Sequence, residues 1–361
     1  MNESALTQYL TRLRQRPVAI AAIEPLGGGG QGAAALKAFG YGQPIRVTYH
    51  CGADTDEVVL RRVNRNGFGR ENMSDRVAEV WRDYHAFNQL PRHVRARDLV
   101  LLNRDGELHS LAAAAELLLL TDFAPGTTYA EDLHRVGETG RLTPLDRDRA
   151  KALASYLAAI HTTKYQDDLL WRRRLRDLVG DGEGIMGLTD SYAAEDEIAT
   201  PARLRQIEVA ANEWRWRLKD QTDRLCQVHG DFHPFNILFT DGVEFNLLDR
   251  SRGEWGEAAD DVSCLMINYL FFSLPLAGRL AGPFAELYEL FWTRYLAERD
   301  DPALLTAMAP WISWRILVLA SPQWYPTMAP EVRHKLLNLA HNVLAAPSFD
   351  WQHINDYLAA P

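Results

Sequence analysis

The sequence predicts an α+β protein with two lobes, a small antiparallel β-rich lobe over residues 1–124 and a larger helical lobe over residues 125–361. Short β-branched and apolar segments are concentrated in the first third of the chain, as in strands. After Gly126, apolar residues recur at helical spacing instead. The turn sequence Ala124-Pro125-Gly126 lies where this pattern changes. A chain of 361 residues is long enough for two such parts.

Four strands are predicted in the first lobe. They cover Val18–Leu26, roughly Ala34–Tyr49, Glu57–Val63 and Glu116–Phe123. The second contains the interruption Gly40–Pro44, which is typical of a bulge or a turn.

Helices are predicted from apolar spacing and end signals. In the first lobe, Ser74–Leu90 has Ser74 as a candidate N-cap and is followed by Pro91. In the second lobe, helices are predicted over Asp148–His161, Ala202–Leu218, Cys264–Leu274 and Pro283–Leu296.

Composition narrows the class of protein. The chain has 39 basic and 48 acidic residues, a net charge of −9. An acidic chain disfavours nucleic-acid binding and suits small-molecule or cationic ligands. Three widely spaced cysteines fit reduced thiols. No signal peptide is predicted, and the apolar run Leu111–Leu120, broken by Glu116, is too short to cross a membrane. We therefore expect a cytoplasmic protein without a membrane partner.

One polar loop carries the chemistry. His229, Asp231 and Asn236 have the spacing H-x-D-x-x-x-x-N, and Asp249 follows a short apolar strand. This is the catalytic-loop pattern of kinases, with Gly230 in place of its Arg. Asp231 can accept a hydroxyl proton, and Asn236 and Asp249 supply the hard oxygen ligands that Mg²⁺ prefers. A polar loop with incidental acids is the alternative.

The sequence from His229 to Asn236, followed by Leu247-Leu248-Asp249, resembles the aminoglycoside phosphotransferase and choline kinase superfamily. The resemblance is strongest over Gln227–Asp261. It implies a protein-kinase-like fold with a five-stranded antiparallel lobe containing one helix, a hinge and a helical lobe. It also implies Mg²⁺, with ATP or GTP as phosphate donor. Arg250 stands where the family usually has Trp or Phe, so the resemblance does not name the acceptor.

The resemblance implies further nucleotide-binding residues. A basic residue on the third strand would pair with the phosphates, and only one of Arg61 and Arg62 can face the cleft, because adjacent strand residues face opposite ways. Similar family sequences have valine-leucine-arginine at this point, so the resemblance favours Arg61. Glu79 or Asp83 on the following helix would be its acidic partner, with both remaining open. Two solvated arginines and a solvated helix face are the alternatives.

Two backbone features complete the predicted nucleotide site. By position, Thr121 and Phe123 would bind adenine through backbone groups at the hinge between the lobes. The glycine-rich segment Gly27–Gly32 would be either a hairpin over the nucleotide phosphates or a plain turn.

Other polar residues have two interpretations each. His233 would assist near the transferring phosphate when protonated, or brace the loop, as we expect of His229. The pair Asp260–Asp261 is predicted to cap a helix starting near Val262. Asp181 and Glu183 would bind a cationic acceptor or face solvent. The basic run Trp171–Arg176 is predicted to be a solvated helix face.

The sequence thus predicts a Mg²⁺-dependent small-molecule kinase. It would transfer the nucleotide γ-phosphate to a hydroxyl group of a small acceptor, an aminoglycoside or another cationic molecule. One alternative is a kinase of a non-antibiotic metabolite, such as an amino alcohol, a sugar or a homoserine-like amino acid. Another is a nucleotide-binding pseudokinase. The sequence indicates no oligomeric state.

Overall fold

A computed structural model describes residues 2–26, 44–250 and 252–361. The chain divides into two compact units, Met1–Thr121 and Asp122–Pro361. The predicted glycine-rich segment Gly27–Gly32 and the first part of the predicted strand at 34–49 lie outside the described residues.

The first unit contains two helices and five strands among its described residues. They are α1 (Glu3–Arg14), β1 (Ala19–Pro25), β2 (Ile45–Cys51), β3 (Asp54–Leu60), α2 (Met73–Phe87), β4 (Val100–Leu102) and β5 (Leu108–Ser110). Strands β1, β2 and β3 form an antiparallel sheet in that order, and β4 pairs with β5. The inward residues Val47 and Tyr49 of β2 pack against Leu6, Tyr9 and Leu10 of α1.

The described part of the first unit has the five antiparallel strands that the resemblance implies, but two helices in place of one. The five described strands form two sheets, and helix α1 was not predicted. The predicted strand Glu116–Phe123 is not a strand: it pairs with no described strand, and Leu117–Leu120 are exposed. An extended segment without a hydrogen-bonding partner has only its apolar composition to favour a strand, and this is not sufficient.

Two predicted element ends in the first unit are also wrong. Strand β3 ends at Leu60, opposite Ile45, and not at Val63. The next residue of the partner strand, Pro44, has no N–H group to continue the ladder. Helix α2 begins after Asn72 and not at Ser74, because the Asp75 carboxylate accepts the Asn72 N–H at 2.7 Å.

The second unit is mostly helical. Its helices are α3 (Tyr129–Thr139), α4 (Pro144–Ile160), α5 (Asp168–Gly180), α6 (Ile185–Asp190), α7 (Pro201–Leu218), α8 (Ala258–Ala277), α9 (Gly282–Glu298), α10 (Leu304–Leu319) and α11 (Pro330–Ala345). Its short strands are β6 (Thr127–Thr128), β7 (Cys226–Gln227), β8 (Ile237–Phe239), β9 (Phe245–Leu247) and β10 (Trp255–Gly256). With the sheets of the first unit, this arrangement confirms the predicted α+β class.

Helices α8 and α10 form the centre of the second unit. Both are buried over most of their surface, and α10 packs against α8 and α11 while α4 packs against α9. The predicted solvated face at Trp171–Arg176 on α5 is wrong, because Trp171 is fully buried and Arg174 is largely buried. None of the helices described is both long and apolar enough to cross a membrane.

Candidate active site

The predicted catalytic loop connects two short strands of the second unit. His233 begins a short 3₁₀ turn, Pro234–Asn236, by accepting the Phe235 N–H at Nδ1, 3.1 Å away. Strand β8 then pairs with β9, with Ile237 opposite Leu247. The Leu248 N–H donates to the Asn236 carbonyl at 2.9 Å. The hairpin therefore returns the chain to Asn236 immediately before Asp249.

Asp231 is held by contacts to both carboxylate oxygens. Its Oδ1 lies 2.8 Å from Arg315 Nη1 and 2.7 Å from Arg252 Nη1. Its Oδ2 lies 3.5 Å from Asn236 Nδ2 and 3.6 Å from His233 Nε2. The two arginines thus saturate Oδ1, whereas the contacts to Oδ2 are longer and weaker.

The protonation of Asp231 follows from this environment. Burial raises its pKa, but the charges of Arg315 and Arg252 outweigh burial, and the pKa is below its ordinary value. Asp231 is therefore ionised at neutral pH and can accept a hydrogen bond or a proton from a hydroxyl group.

Asp261 anchors the backbone of the loop. Its Oδ2 and Oδ1 accept the N–H groups of His229 and Gly230, each at 2.7 Å. His161 Nε2 lies 3.1 Å from Oδ2. Burial raises the pKa of Asp261, but the hydrogen bonds from His161 and from the two N–H groups together have the larger, opposite effect. The pKa therefore lies below its ordinary value. The loop therefore rests on a buried, ionised carboxylate.

The predicted capping role of Asp260 and Asp261 is wrong. Helix α8 begins at Ala258, and Glu257 is its N-cap, accepting the Ala259 N–H. Asp260 and Asp261 lie in the first turn of α8. Asp260 pairs with Arg315, and Asp261 accepts hydrogen bonds from the loop. The sequence pattern located the helix start a full turn too late, because α8 is apolar on nearly every side and shows little periodicity.

The two loop histidines brace the backbone in this structure. His229 Nδ1 accepts the Asp231 N–H at 3.3 Å, and His233 Nδ1 accepts the Phe235 N–H. Burial lowers the pKa of both rings below the ordinary value, although Asp231 opposes this. A neutral ring at position 233 fits the bracing interpretation better than a protonated group near a phosphate.

Sequence reasoning missed the arginines around Asp231. Arg315 belongs to α10, donates to the Gly230 carbonyl at 3.0 Å and pairs with Asp260. Arg174 of α5 donates to the carbonyl of Arg252 and lies 3.7 Å from Asp260. One signal could have indicated Arg315: it is the single charged residue in an otherwise apolar helix. A charge in such a position requires a partner.

Asn236 and Asp249 carry the oxygen atoms that the sequence predicts as Mg²⁺ ligands. The amide Nδ2 of Asn236 donates to the Asp231 carbonyl at 3.1 Å, which leaves its Oδ1 as a ligand oxygen. Asp249 has φ of 53°, in the left-handed region that Asp tolerates. It lines a cavity of about 210 Å³ together with His229 and Leu248. Asn236 is not among the residues that line this cavity, so the cavity provides space beside Asp249 alone.

Of the predicted nucleotide-binding residues, Arg61 and Asp83 lie near each other. Arg61 follows the end of β3, is 53% exposed, and has Nη1 3.9 Å from Asp83 Oδ2. Glu79 is paired with Arg70 at 2.5 Å. Asp83 is the nearer acid to Arg61, and the charge of Arg61 also lowers the pKa of Glu79, after the larger effect of Arg70. Thr121 and Phe123 lie in the non-helical segment where the two units join, and Phe123 is 90% exposed.

Comparison with known proteins places the chain in a family. The model of the phosphotransferase enzyme family (APH) matches residues 42–305, and the chain belongs to that family. The resemblance seen in the loop sequence is confirmed. A search of curated proteins found no significant match.

Solved structures that resemble the chain are distant. An amicoumacin kinase solved with AMP-PNP and Ca²⁺ has 14% identity and a TM-score of 0.42, covering 98% of this chain and 100% of that one. A microcompartment-associated aminopropanol kinase has 14% identity and a TM-score of 0.40, covering 97% and 98%. A glucosamine kinase has 19% identity and a TM-score of 0.37, covering 61% of this chain and 57% of that one. The match to that glucosamine kinase thus spans less than two thirds of its length.

Proposed function

We propose that the protein is a kinase that transfers the γ-phosphate of ATP or GTP to a hydroxyl group of a small molecule. One observation carries this proposal. A partly buried, ionised Asp231 accepts a hydrogen bond from Asn236, and a hairpin returns the chain to Asn236 one residue before Asp249. Phosphoryl transfer needs a carboxylate for the attacking hydroxyl and oxygen ligands for a divalent cation, and this loop has both.

Asp231 would act on the acceptor through Oδ2. Oδ1 is bound by two guanidinium groups, so Oδ2 is the oxygen with capacity for a further strong hydrogen bond. It would orient the acceptor hydroxyl for in-line attack and receive its proton. Because the pKa of Asp231 is lowered, it is a weak base, and proton transfer is expected late in the reaction.

Asn236 and Asp249 would hold Mg²⁺, which neutralises charge on the nucleotide phosphates when bound. In the first unit, Arg61 would pair with the α- and β-phosphates and Asp83 would orient it. Backbone groups of Thr121 and Phe123 would bind the base. An arginine in this role keeps the charge of a lysine but offers a planar fork of donors.

The test is a nucleotide-diphosphate release assay with Mg²⁺ and ATP or GTP. Purified protein is screened against aminoglycosides, amino alcohols, sugars and amino acids. We expect turnover on one acceptor class, and a loss of kcat of roughly 10³-fold or more in Asp231→Asn, since the acid both orients and deprotonates the hydroxyl.

Asp241→Asn serves as the matched control. Asp241 lies exposed in the turn of the β8–β9 hairpin, so its loss should leave kcat unchanged. Full activity of Asp231→Asn would contradict the assigned role. Binding of the Mg²⁺–nucleotide without turnover on any acceptor would favour a pseudokinase, and absence of nucleotide binding would refute the kinase proposal.

A further inference from the structure

Helix α10 carries one charged residue in an apolar sequence. Leu304–Leu319 contains Arg315 among residues that are nearly all buried, and Arg315 itself is 6% exposed. A guanidinium removed from water is destabilising unless its donors are well paired. The position of Arg315 thus requires an explanation beyond packing, and its partners supply one.

The contacts of Arg315 fix its guanidinium plane. Nη1 donates to Asp231 Oδ1 at 2.8 Å, and Nη2 donates to the Gly230 carbonyl at 3.0 Å and to Asp260. The Trp314 ring lies 4.1 Å from the guanidinium carbon. Trp314 is itself held, because its Nε1 donates to the Glu183 carbonyl at 2.7 Å. Few orientations of Arg315 satisfy all of these contacts.

We infer that Arg315 is a positioning residue for phosphotransfer, which occupies Oδ1 of Asp231 and so directs Oδ2 toward the acceptor hydroxyl. The inference rests on the proposed function. Two features distinguish Arg315 from Arg252, the other arginine on Oδ1. The Arg252 side chain is 22% exposed, and its Nη2 lies 3.4 Å from Glu183 Oε2. Arg315 lies beyond residue 305, where the family match ends.

Arg315 also joins the loop to the rest of the unit. Its side chain contacts Asp260 at the start of α8 as well as the catalytic loop. Because Arg315 belongs to α10, these contacts connect α10 to the start of α8 and to the loop. A carboxylate held from a central, buried helix moves less than one held from a loop, and reactivity depends steeply on such placement.

The test compares Arg315→Lys with wild type on the acceptor found in the screen. Lysine keeps the charge but cannot donate to Asp231, Gly230 and Asp260 in one plane. We expect kcat to fall on the order of 100-fold, the effect of a displacement of about 1 Å. The KM for the Mg²⁺–nucleotide should not change, because Arg315 contacts none of the residues proposed to bind it.

A second variant guards against loss of folding. Arg315→Met combined with Asp260→Asn removes one positive and one negative charge together, so the buried cluster keeps its net charge. We expect it to fold, as measured by thermal unfolding, and to show the same selective loss of kcat.

Arg224 provides the matched control. It is 7% exposed, and its guanidinium donates to Glu257 at 2.6 and 2.8 Å and to Asp301 at 3.1 Å. It is as buried as Arg315 and its nitrogens are all paired, whereas Nε of Arg315 is not, and the partners of Arg224 lie outside the catalytic loop. Arg224→Lys should lower the unfolding temperature and leave kcat of the folded protein unchanged.

Three results would overturn the inference. Unchanged kcat in Arg315→Lys, with wild type active, would refute it and leave the kinase proposal intact. An equal loss of kcat in Arg224→Lys would show that Arg315 acts only through stability. A wild-type protein that transfers phosphate to no acceptor would refute the proposed function and this inference with it.

Discussion

Gly230 separates His229 from Asp231 at a point where the backbone has a positive φ. Its φ is +86°, a region in which a residue with a Cβ atom is strained. A Cβ atom built there would also lie 3.3 Å from the Cβ of Arg252. The glycine thus allows the turn in which its own N–H group and that of His229 reach Asp261. It also leaves room for an arginine beside Asp231.

Gly230→Ala tests this explanation. The strain of a positive φ should destabilise the protein by about 1–2 kcal/mol, and displacement of Arg252 should reduce kcat. Urea unfolding and steady-state kinetics of the same samples measure both effects. Unchanged stability and unchanged kcat would show that the loop relaxes without cost.

Asp249 and Asn236 determine the dependence on Mg²⁺ in this account. Asp249→Asn should raise the Mg²⁺ concentration for half-maximal activity by more than about 10-fold. Substitution of residues that only hydrogen-bond to metal ligands already weakens metal binding by about this factor. A Mg²⁺ titration at saturating nucleotide measures this, with the exposed Asp241→Asn as control. A lower kcat at an unchanged Mg²⁺ requirement would argue that Asp249 is not a ligand.

Among the elements, strand β3 carries a carboxylate that links stability to pH. The Asp56 carboxylate accepts a bond from Arg97 at 2.8 Å and from the Tyr49 hydroxyl at 3.0 Å. The bond from Arg97 is the main cause that lowers its pKa to about 2. Since the folded-state pKa lies below the unfolded value of about 4, ionised Asp56 stabilises the fold above that pH.

This contribution should disappear as the pH falls from about 4 to about 2, as Asp56 becomes protonated in the folded state. Asp56→Asn should therefore unfold more easily than wild type at pH 5, and the difference should shrink at pH 3. Urea unfolding of the full chain at both pH values measures it. A difference that is constant with pH would contradict the assigned pKa.

Some elements could be predicted from sequence because their signals are local. The predictions for α7 and α9 were close because apolar spacing marks them, whereas α4 begins at Pro144, one turn before the predicted Asp148. Strands β4 and β5 have three residues each, too few to show a pattern. Glu116–Phe123 has the composition of a strand, but strand formation depends on a partner that a single segment does not reveal.

At the scale of the molecule, the two units differ in the size of their hydrophobic cores. The core of the first unit is a small cluster around Val47 and Tyr49, and its helix α2 has no buried residue. The second unit has a large continuous core around α8 and α10. Resistance to local opening should follow this difference.

Hydrogen exchange monitored by mass spectrometry measures that difference. We expect the amides of α8 and α10 to exchange most slowly and those of α2 to exchange faster by orders of magnitude. Equal protection of α2 and α8 would contradict the description of two separate cores.

The candidate site shows which parts of a mechanism one sequence reveals. His229, Asp231, Asn236 and Asp249 lie within a short stretch of chain, so their spacing alone predicted the loop and the returning hairpin. Arg315 is 84 residues from Asp231, and no local pattern reports a contact across that separation. The lone charge in the apolar sequence of α10, which the predictions did not use, would have indicated a partner but not which residue it is.

The measurement that tests the central claim most directly is a ³¹P NMR spectrum of wild type and Asp231→Asn. Each sample contains Mg²⁺, the nucleotide and the acceptor that the screen identifies. The account predicts a phosphate ester of the acceptor and an equal amount of nucleoside diphosphate with wild type, and neither with Asp231→Asn. Inorganic phosphate in place of the ester, or the same ester signal in both samples, would contradict the claim that this loop transfers phosphate to a hydroxyl group.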